Sequence, residues 1–82
     1  MFTYNQEHAL QAIWYCINKW LYIEKHDKYL IKTYVDLEKL KYVKIDQKIY
    51  ANKCYKVSLM KNPPELLIEK WKNEKLIKDI IE

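Results

Sequence analysis

The sequence predicts a small α+β domain: a helix at each end of the chain and a basic helix and hairpin between them. Three observations carry this. Apolar residues recur at helical spacing from Ala9 to Trp20 and again from Leu66 to Ile81. Residues 53–60 alternate, with Cys54, Lys56 and Ser58 on one side and Tyr55, Val57 and Leu59 on the other. Asn62-Pro63-Pro64-Glu65 separates the alternating stretch from the last helical one. With 82 residues the chain suits one core. Residues 1–82 are therefore one domain. It comprises an N-terminal helical region (residues 1–26), a basic helix and hairpin region (residues 27–61) and a C-terminal helix (residues 62–82).

The first helix has a cap in Thr3 or Asn5, with Gln6 as capping-box partner of Thr3. Ala9, Ile13, Ile17 and Trp20 form its apolar stripe, widened by Leu10, Leu21, Trp14 and Cys16. Trp14 and Trp20 are expected in the core. Tyr15 and Tyr22 fall at the polar margin, where they can face a partner. Glu24 would return to the apolar face, so the helix ends or bends near Leu21–Ile23.

The middle allows two parses. In one, Leu30, Tyr34 and Leu37 mark a helix, and Tyr42–Asp46 then pairs with Cys54–Leu59 in a hairpin. Its tip contains the turn formers Asp46 and Asn52. In the other, Tyr29–Val35 is itself a strand, because β-branched and aromatic residues are dense there, and the domain is a helix–β-meander–helix. The last helix starts with Asn62 as cap and Pro63 at its first position. Leu66, Leu67, Trp71, Ile77 and Ile81 share one side, while Ile68, Leu76 and Ile80 lie off it. A helix apolar on more than one face has two neighbours. Ile68, Trp71, Leu76 and Ile80 are thus candidates for a dimer or partner interface.

Composition excludes several functions. The chain has no Gly and no Arg, but 15 Lys, ten Ile and eight Tyr, a usage typical of A/T-rich genes such as those of a low-GC bacterium, its phages or mobile elements. Without Gly there is no Gly-rich phosphate loop. Helix ends that need positive φ must use other residues at a cost. No apolar run reaches the roughly 20 residues of a membrane span and no signal peptide stands at the start, so a cytoplasmic location is expected. Cys16 and Cys54 are read as reduced packing residues, and their spacing from His8 and His26 fits no metal site. No cofactor is expected. His8 and His26 lie on charged stretches without a neighbouring nucleophile, Ser58 is the only serine, and the acids are scattered, so the chain is read as non-enzymatic.

Charge is concentrated. Residues 39–61 hold seven lysines (39, 41, 44, 48, 53, 56 and 61) against Asp46 alone, while the segments on either side are each net −1. Such density attracts a polyanion. A solvated Lys-rich hairpin that guards a sheet edge is the competing reading.

The stretch Leu37-Glu38-Lys39-Leu40-Lys41-Tyr42-Val43-Lys44-Ile45, followed by Tyr55-Lys56-Val57-Ser58-Leu59, resembles the exit from the recognition helix and the wing of the winged helix-turn-helix family. The resemblance implies a first helix over Asn5–Trp20, a short second helix over Leu21–His26, and a third, capped by Asp27, over Lys28–Leu40. Val43–Leu59 would be the wing, and a C-terminal helix would follow. The family usually has Gly where this chain has Lys41, and the second helix has barely room to form.

On this resemblance Lys28, Lys32, Lys39 and Lys41 lie on or at the end of the groove-facing helix, and Lys44, Lys48, Lys53 and Lys56 on the wing. Lysine contacts phosphate and gives affinity rather than sequence readout. Gln47 and Asn52 are the amides near enough to reach base edges, and Thr33 and Tyr34 can touch thymine methyls or phosphates. Tyr42, Tyr50 and Tyr55 are interleaved with the lysines, as in single-strand stacking platforms, or else pack across the sheet. The expected partner is DNA, duplex or single-stranded, with an accessory role in transcription or replication. The alternative is a protein-binding module, an inhibitor or replication-complex subunit, that docks on a larger protein.

Overall fold

The computed structural model describes residues 2–50 and 53–81, with side chains described for 2–46 and 53–74. The chain is α+β: α1 (Tyr4–Trp14), β1 (Trp20–Glu24), α2 (Lys28–Lys39), β2 (Val43–Tyr50), β3 (Cys54–Leu59) and α3 (Glu65–Ile81). The three strands form one antiparallel sheet in the order β1-β3-β2. Among the described residues no helix is long and apolar enough to cross a membrane.

Local chemistry explains most boundaries. Thr3 caps α1 through a full capping box: its hydroxyl accepts from the Gln6 N–H at 3.2 Å, and the Gln6 amide oxygen accepts from the Thr3 N–H at 3.0 Å. Asp27 caps α2, its carboxylate accepting from the Leu30 N–H at 3.1 Å. This cap makes Tyr29–Val35 helix, so the meander parse does not hold. At the other end of α2, the Tyr42 N–H bonds to Leu37 O and the Lys41 N–H to Glu38 O. That is a Schellman closure, with Lys41 in the left-handed position at φ 68° where glycine is usual. Lys19 (φ 60°) and Lys53 (φ 57°) occupy the same region just before β1 and β3.

Two expected helical spans are corrected. α1 stops at Trp14 rather than Trp20, and residues 20–24 form strand β1 instead of a short second helix over Leu21–His26. The reason is period. Trp20-Leu21-Tyr22-Ile23-Glu24 alternates, and as a strand it buries Ile23 and half-buries Leu21 on one face. A helix would have set Glu24 in that apolar face. Ile17, expected in the core stripe, instead lies in the α1–β1 turn and is 96% exposed. Trp20 is half-buried on the sheet, outside the buried core. The two expected hairpin segments do pair: Val43 stands opposite Leu59, Lys44 opposite Ser58, Ile45 opposite Val57 and Asp46 opposite Lys56. The register then shifts between Asp46 and Tyr50. α3 begins two residues later than an Asn62 cap implies, with Pro64 O accepting from Leu67 and Ile68 N–H groups.

The core joins all six elements. Ala9, Leu10 and Ile13 of α1, Ile23 of β1, Tyr34 and Leu37 of α2, Val43 of β2, Val57 of β3 and Trp71 of α3 are buried together. Trp71, an expected interface residue, is only 1% exposed and completes this core against α1. Ile68 is partly buried against the core, and its remaining surface lines a cleft with Trp14, Asn62, Pro63 and Glu65. Leu76 and Ile80 lie outside the described side chains. The Trp71 indole N–H is buried without a well-formed hydrogen bond. It nonetheless lies near enough to Glu7 to assist Lys70 Nζ, 2.8 Å away, in holding that carboxyl below its usual range.

Tyr34 ties α2 to α1, its hydroxyl donating to Ala9 O at 2.8 Å. Burial, with a smaller contribution from Cys16, raises its phenol well above the ordinary value. Below about pH 10 the phenol is neutral in both folded and unfolded chains. Above it the unfolded phenol ionises first, so stability is lost as pH rises toward the folded value. Tyr34→Phe should cost about 1 kcal/mol at neutral pH in urea unfolding. The variant should also lose less stability than the parent between pH 9 and 11 (roughly the window around the free phenol value). Lys41→Gly should raise stability by about 0.5–1 kcal/mol in the same assay, because glycine relieves the left-handed backbone.

Candidate nucleic-acid interface

The sheet has one covered and one open face. On the covered face Leu21 stands opposite Val57, Ile23 opposite Tyr55, Ile45 opposite Val57 and Val43 opposite Leu59, all packed in or against the core. Strand alternation sends the remaining residues outward. Three cross-strand rows result: Trp20–Ser58–Lys44, Tyr22–Lys56–Asp46, and Glu24–Cys54 paired on to Tyr50. Trp20 and Tyr22 sit edge to face, ring centroids 5.1 Å apart and planes at 72°. Lys56 Nζ lies 4.5 Å from the Trp20 ring centroid, a cation–π contact.

Lysines surround this face. Lys44 and Lys56 share a cleft of about 520 Å³ with Glu38, Ile45, Asp46 and Ser58. Lys39 and Lys41 are exposed where α2 ends, and Lys53 is exposed where β3 begins. The acids nearby are engaged. Glu38 accepts the Ile45 N–H at 2.7 Å, Glu24 contacts His26 Nε2 at 2.7 Å, and Asp46 stands opposite Lys56. The Glu38 bond matters for the fold as well. It occupies one outward-facing backbone donor on edge strand β2, which is one fewer group open to further pairing there.

Not every expected residue joins the set. Lys28 and Lys32 are exposed on the first half of α2. Lys32 lines a separate small cleft with Thr3, Asn5, Gln6, Tyr29, Thr33 and Asp36, beside the start of α1. The Thr33 hydroxyl donates to Tyr29 O. Tyr34 is buried, so it cannot touch a base. Tyr42 and Tyr55 pack against the core rather than forming a platform; Lys61 Nζ covers the Tyr42 ring at 4.1 Å. Gln47, Lys48 and Tyr50 are in β2, but their side chains lie outside those described, and Asn52 lies outside the described residues altogether.

Of the aromatic pair on the open face, Trp20 is expected from sequence in the core, and Tyr22 is expected only as a polar-margin residue that can face a partner, not as part of the nucleic-acid set. A helical reading of residues 20–24 conceals the pair. The signal that reveals it is the alternation of this five-residue run, with Leu21 and Ile23 set between aromatic and acidic residues.

Other chemistry is sparse. Cys16 and Cys54 are thiols, not joined in a disulfide. Among the described residues no group of three His, Cys, Asp or Glu residues converges on a common metal position. His8 lies in a tilted ring contact with Tyr4, centroids 4.4 Å apart and planes at 53°, and Ser58 is an ordinary strand residue. A cleft of about 460 Å³ between α1, β1 and α2 is lined by apolar residues such as Ala9, Ala12 and Leu30 together with His8, Tyr22 and Asp27. No family model, curated protein or solved structure matches this chain.

Glu38→Ala should lower stability by about 1–2 kcal/mol, since it leaves the Ile45 N–H without its charged acceptor. Glu38→Gln, which keeps an acceptor oxygen, should recover most of that loss in urea titrations.

Proposed function

We propose that the protein is a non-enzymatic nucleic-acid-binding accessory factor that holds DNA through its Lys-rich helix end and hairpin. One observation carries the reading: residues 39–61 concentrate seven lysines against one acid, and the described members at 39, 41, 44 and 53 are exposed around one end of α2 and the hairpin. Lysine ammonium groups bind phosphate as point charges, and each contact releases a counterion. With no arginine and few amides, affinity comes from the backbone and little sequence is read.

The order α2–β2–β3–α3 is what the winged-helix likeness implies, with β2–β3 as the wing. Its second helix is lacking, because residues 20–24 are strand. We therefore assign the binding surface to the hairpin and the C-terminal end of α2, rather than to a helix-turn-helix pair. The composition favours a mobile element or phage of a low-GC bacterium as the setting. Docking on a protein is the second reading, and the exposure of Ile17 (96%) and Leu66 (81%) favours it.

Salt separates the two. Binding of labelled oligonucleotides followed by fluorescence anisotropy should weaken steeply as salt rises, whereas apolar docking would be nearly salt-insensitive. Lys44→Glu combined with Lys48→Glu should abolish oligonucleotide binding while changing stability by less than about 0.5 kcal/mol. Retained affinity in this double variant would overturn the assignment to the hairpin.

A further inference from the structure

We infer that the open face of the sheet binds single-stranded nucleic acid by stacking an unpaired base on Tyr22, beside the Trp20 ring and the Lys56 ammonium that covers it. The inference rests on the nucleic-acid reading above and adds the strand form and the residues that select it. Its starting point is that two large rings stand side by side on the face opposite the core. Leu21 and Ile23, their neighbours in β1, turn to the core instead. Tyr22 is 49% exposed. The neighbouring strands place Ser58, Lys44 and Lys56 at the other solvent-facing positions.

The surroundings suit one class of occupant. Ser58 lies between Trp20 and Lys44 and is too small to obstruct a planar group resting on the sheet. Lys56 is held over the Trp20 ring, so a cation stands beside the aromatic surface, where the phosphate of a stacked nucleotide passes. Lys44 supplies a second cation on the far strand, in the same cross-strand row as Trp20 and Ser58. Aromatic rings with interleaved cations match a chain of flat bases joined by anions. A duplex hides its base faces in its own stack and presents only edges and phosphates, so the rings gain nothing from it. The rings are also near-perpendicular, at 72°. A flexible single strand can turn a base onto the exposed Tyr22 ring, whereas a stiff stacked helix cannot. Stacking tolerates any base, which agrees with a surface that has no arginine to read base edges.

The test uses the full chain and fluorescence anisotropy with labelled oligothymidylate, oligouridylate and a mixed-sequence DNA duplex at equal salt. Single strands should bind more tightly than the duplex. Tyr22→Ala should weaken single-strand binding about 5- to 150-fold while leaving duplex binding unchanged. Tyr22→Phe keeps the ring and should retain the parent affinity. Thermal unfolding of each variant, with Trp20→Phe as a second ring change, separates lost stacking from lost fold. Oligothymidylate against oligouridylate distinguishes DNA from RNA as the source of the strand. If folded Tyr22→Ala binds single strands as tightly as the parent, or if the duplex is preferred, the stacking inference is overturned. Should the Lys44→Glu, Lys48→Glu double variant still abolish binding in that case, the basic surface stands without it. Absence of any oligonucleotide binding at low salt overturns both readings.

Discussion

Everything in this domain depends on β3 being paired on both of its edges. Val57, at its middle, is fully buried, with Leu21 opposite on one side and Ile45 on the other. A lone two-stranded hairpin is marginal in water, and a third strand with a helix-covered face makes it stable. The hairpin formed by β2 and β3 therefore needs β1, and β1 is available only if the chain leaves the helical path after Trp14. The early end of α1, the turn through residues 15–19 and the exposure of Ile17 all follow from that requirement. So does the open face, since the strand that supplies Leu21 and Ile23 to the core must send Trp20 and Tyr22 the other way.

The absence of glycine imposes the second constraint. A chain that ends a helix in a Schellman closure or turns tightly into a strand needs residues at positive φ. Here lysine stands at all three such positions in the described residues: Lys19, Lys41 and Lys53. Each costs roughly 1 kcal/mol relative to glycine. The same substitution places a long cation at the entrance to each strand. Lys19 uses its ammonium locally, bonding to Trp14 O and lying over the Trp14 ring. Lys41 and Lys53 are exposed and belong to the basic segment. Backbone strain and surface charge are thus two effects of one compositional choice.

How much of this is legible in the sequence depends on whether the signal is local. The Thr3–Gln6 box, the Asp27 cap and the pairing of the two hairpin segments are set by residues within a short span of chain, and the sequence shows them. The Lys41 substitution at the helix end is also visible as a departure from glycine. β1 is not legible, because five alternating residues are too few to outweigh the helical spacing of Ala9, Ile13, Ile17 and Trp20, and its partner strand lies about thirty residues further along the chain. Trp71 is misread as a partner contact for a related reason. Periodicity shows that a helix has an apolar side, but only packing shows that α1 covers it. The candidate site divides along the same line. The lysines are countable in the sequence, whereas the aromatic pair requires knowledge of which face β1 turns to solvent.

The basic segment and the open sheet face carry different kinds of information. Net charge acts over a Debye length of about 8 Å at physiological salt and draws any polyanion. It reads charge density, which favours the duplex, and not whether base faces are exposed. Ring stacking acts only at contact and only on exposed base faces, so it reads that exposure. The sheet face itself is nearly balanced, with Asp46 opposite Lys56 and Glu24 at its end, and the excess lysines lie around its rim at 39, 41 and 53. On the nucleic-acid reading, this separation has a physical advantage. A rim of long-stemmed cations steers the strand and tolerates its irregular path, while the centre offers the exposed Tyr22 ring with Lys56 beside it over Trp20. Reversing charge at the rim would then remove affinity for every nucleic acid alike, and removing a ring would erase only the preference for unpaired bases.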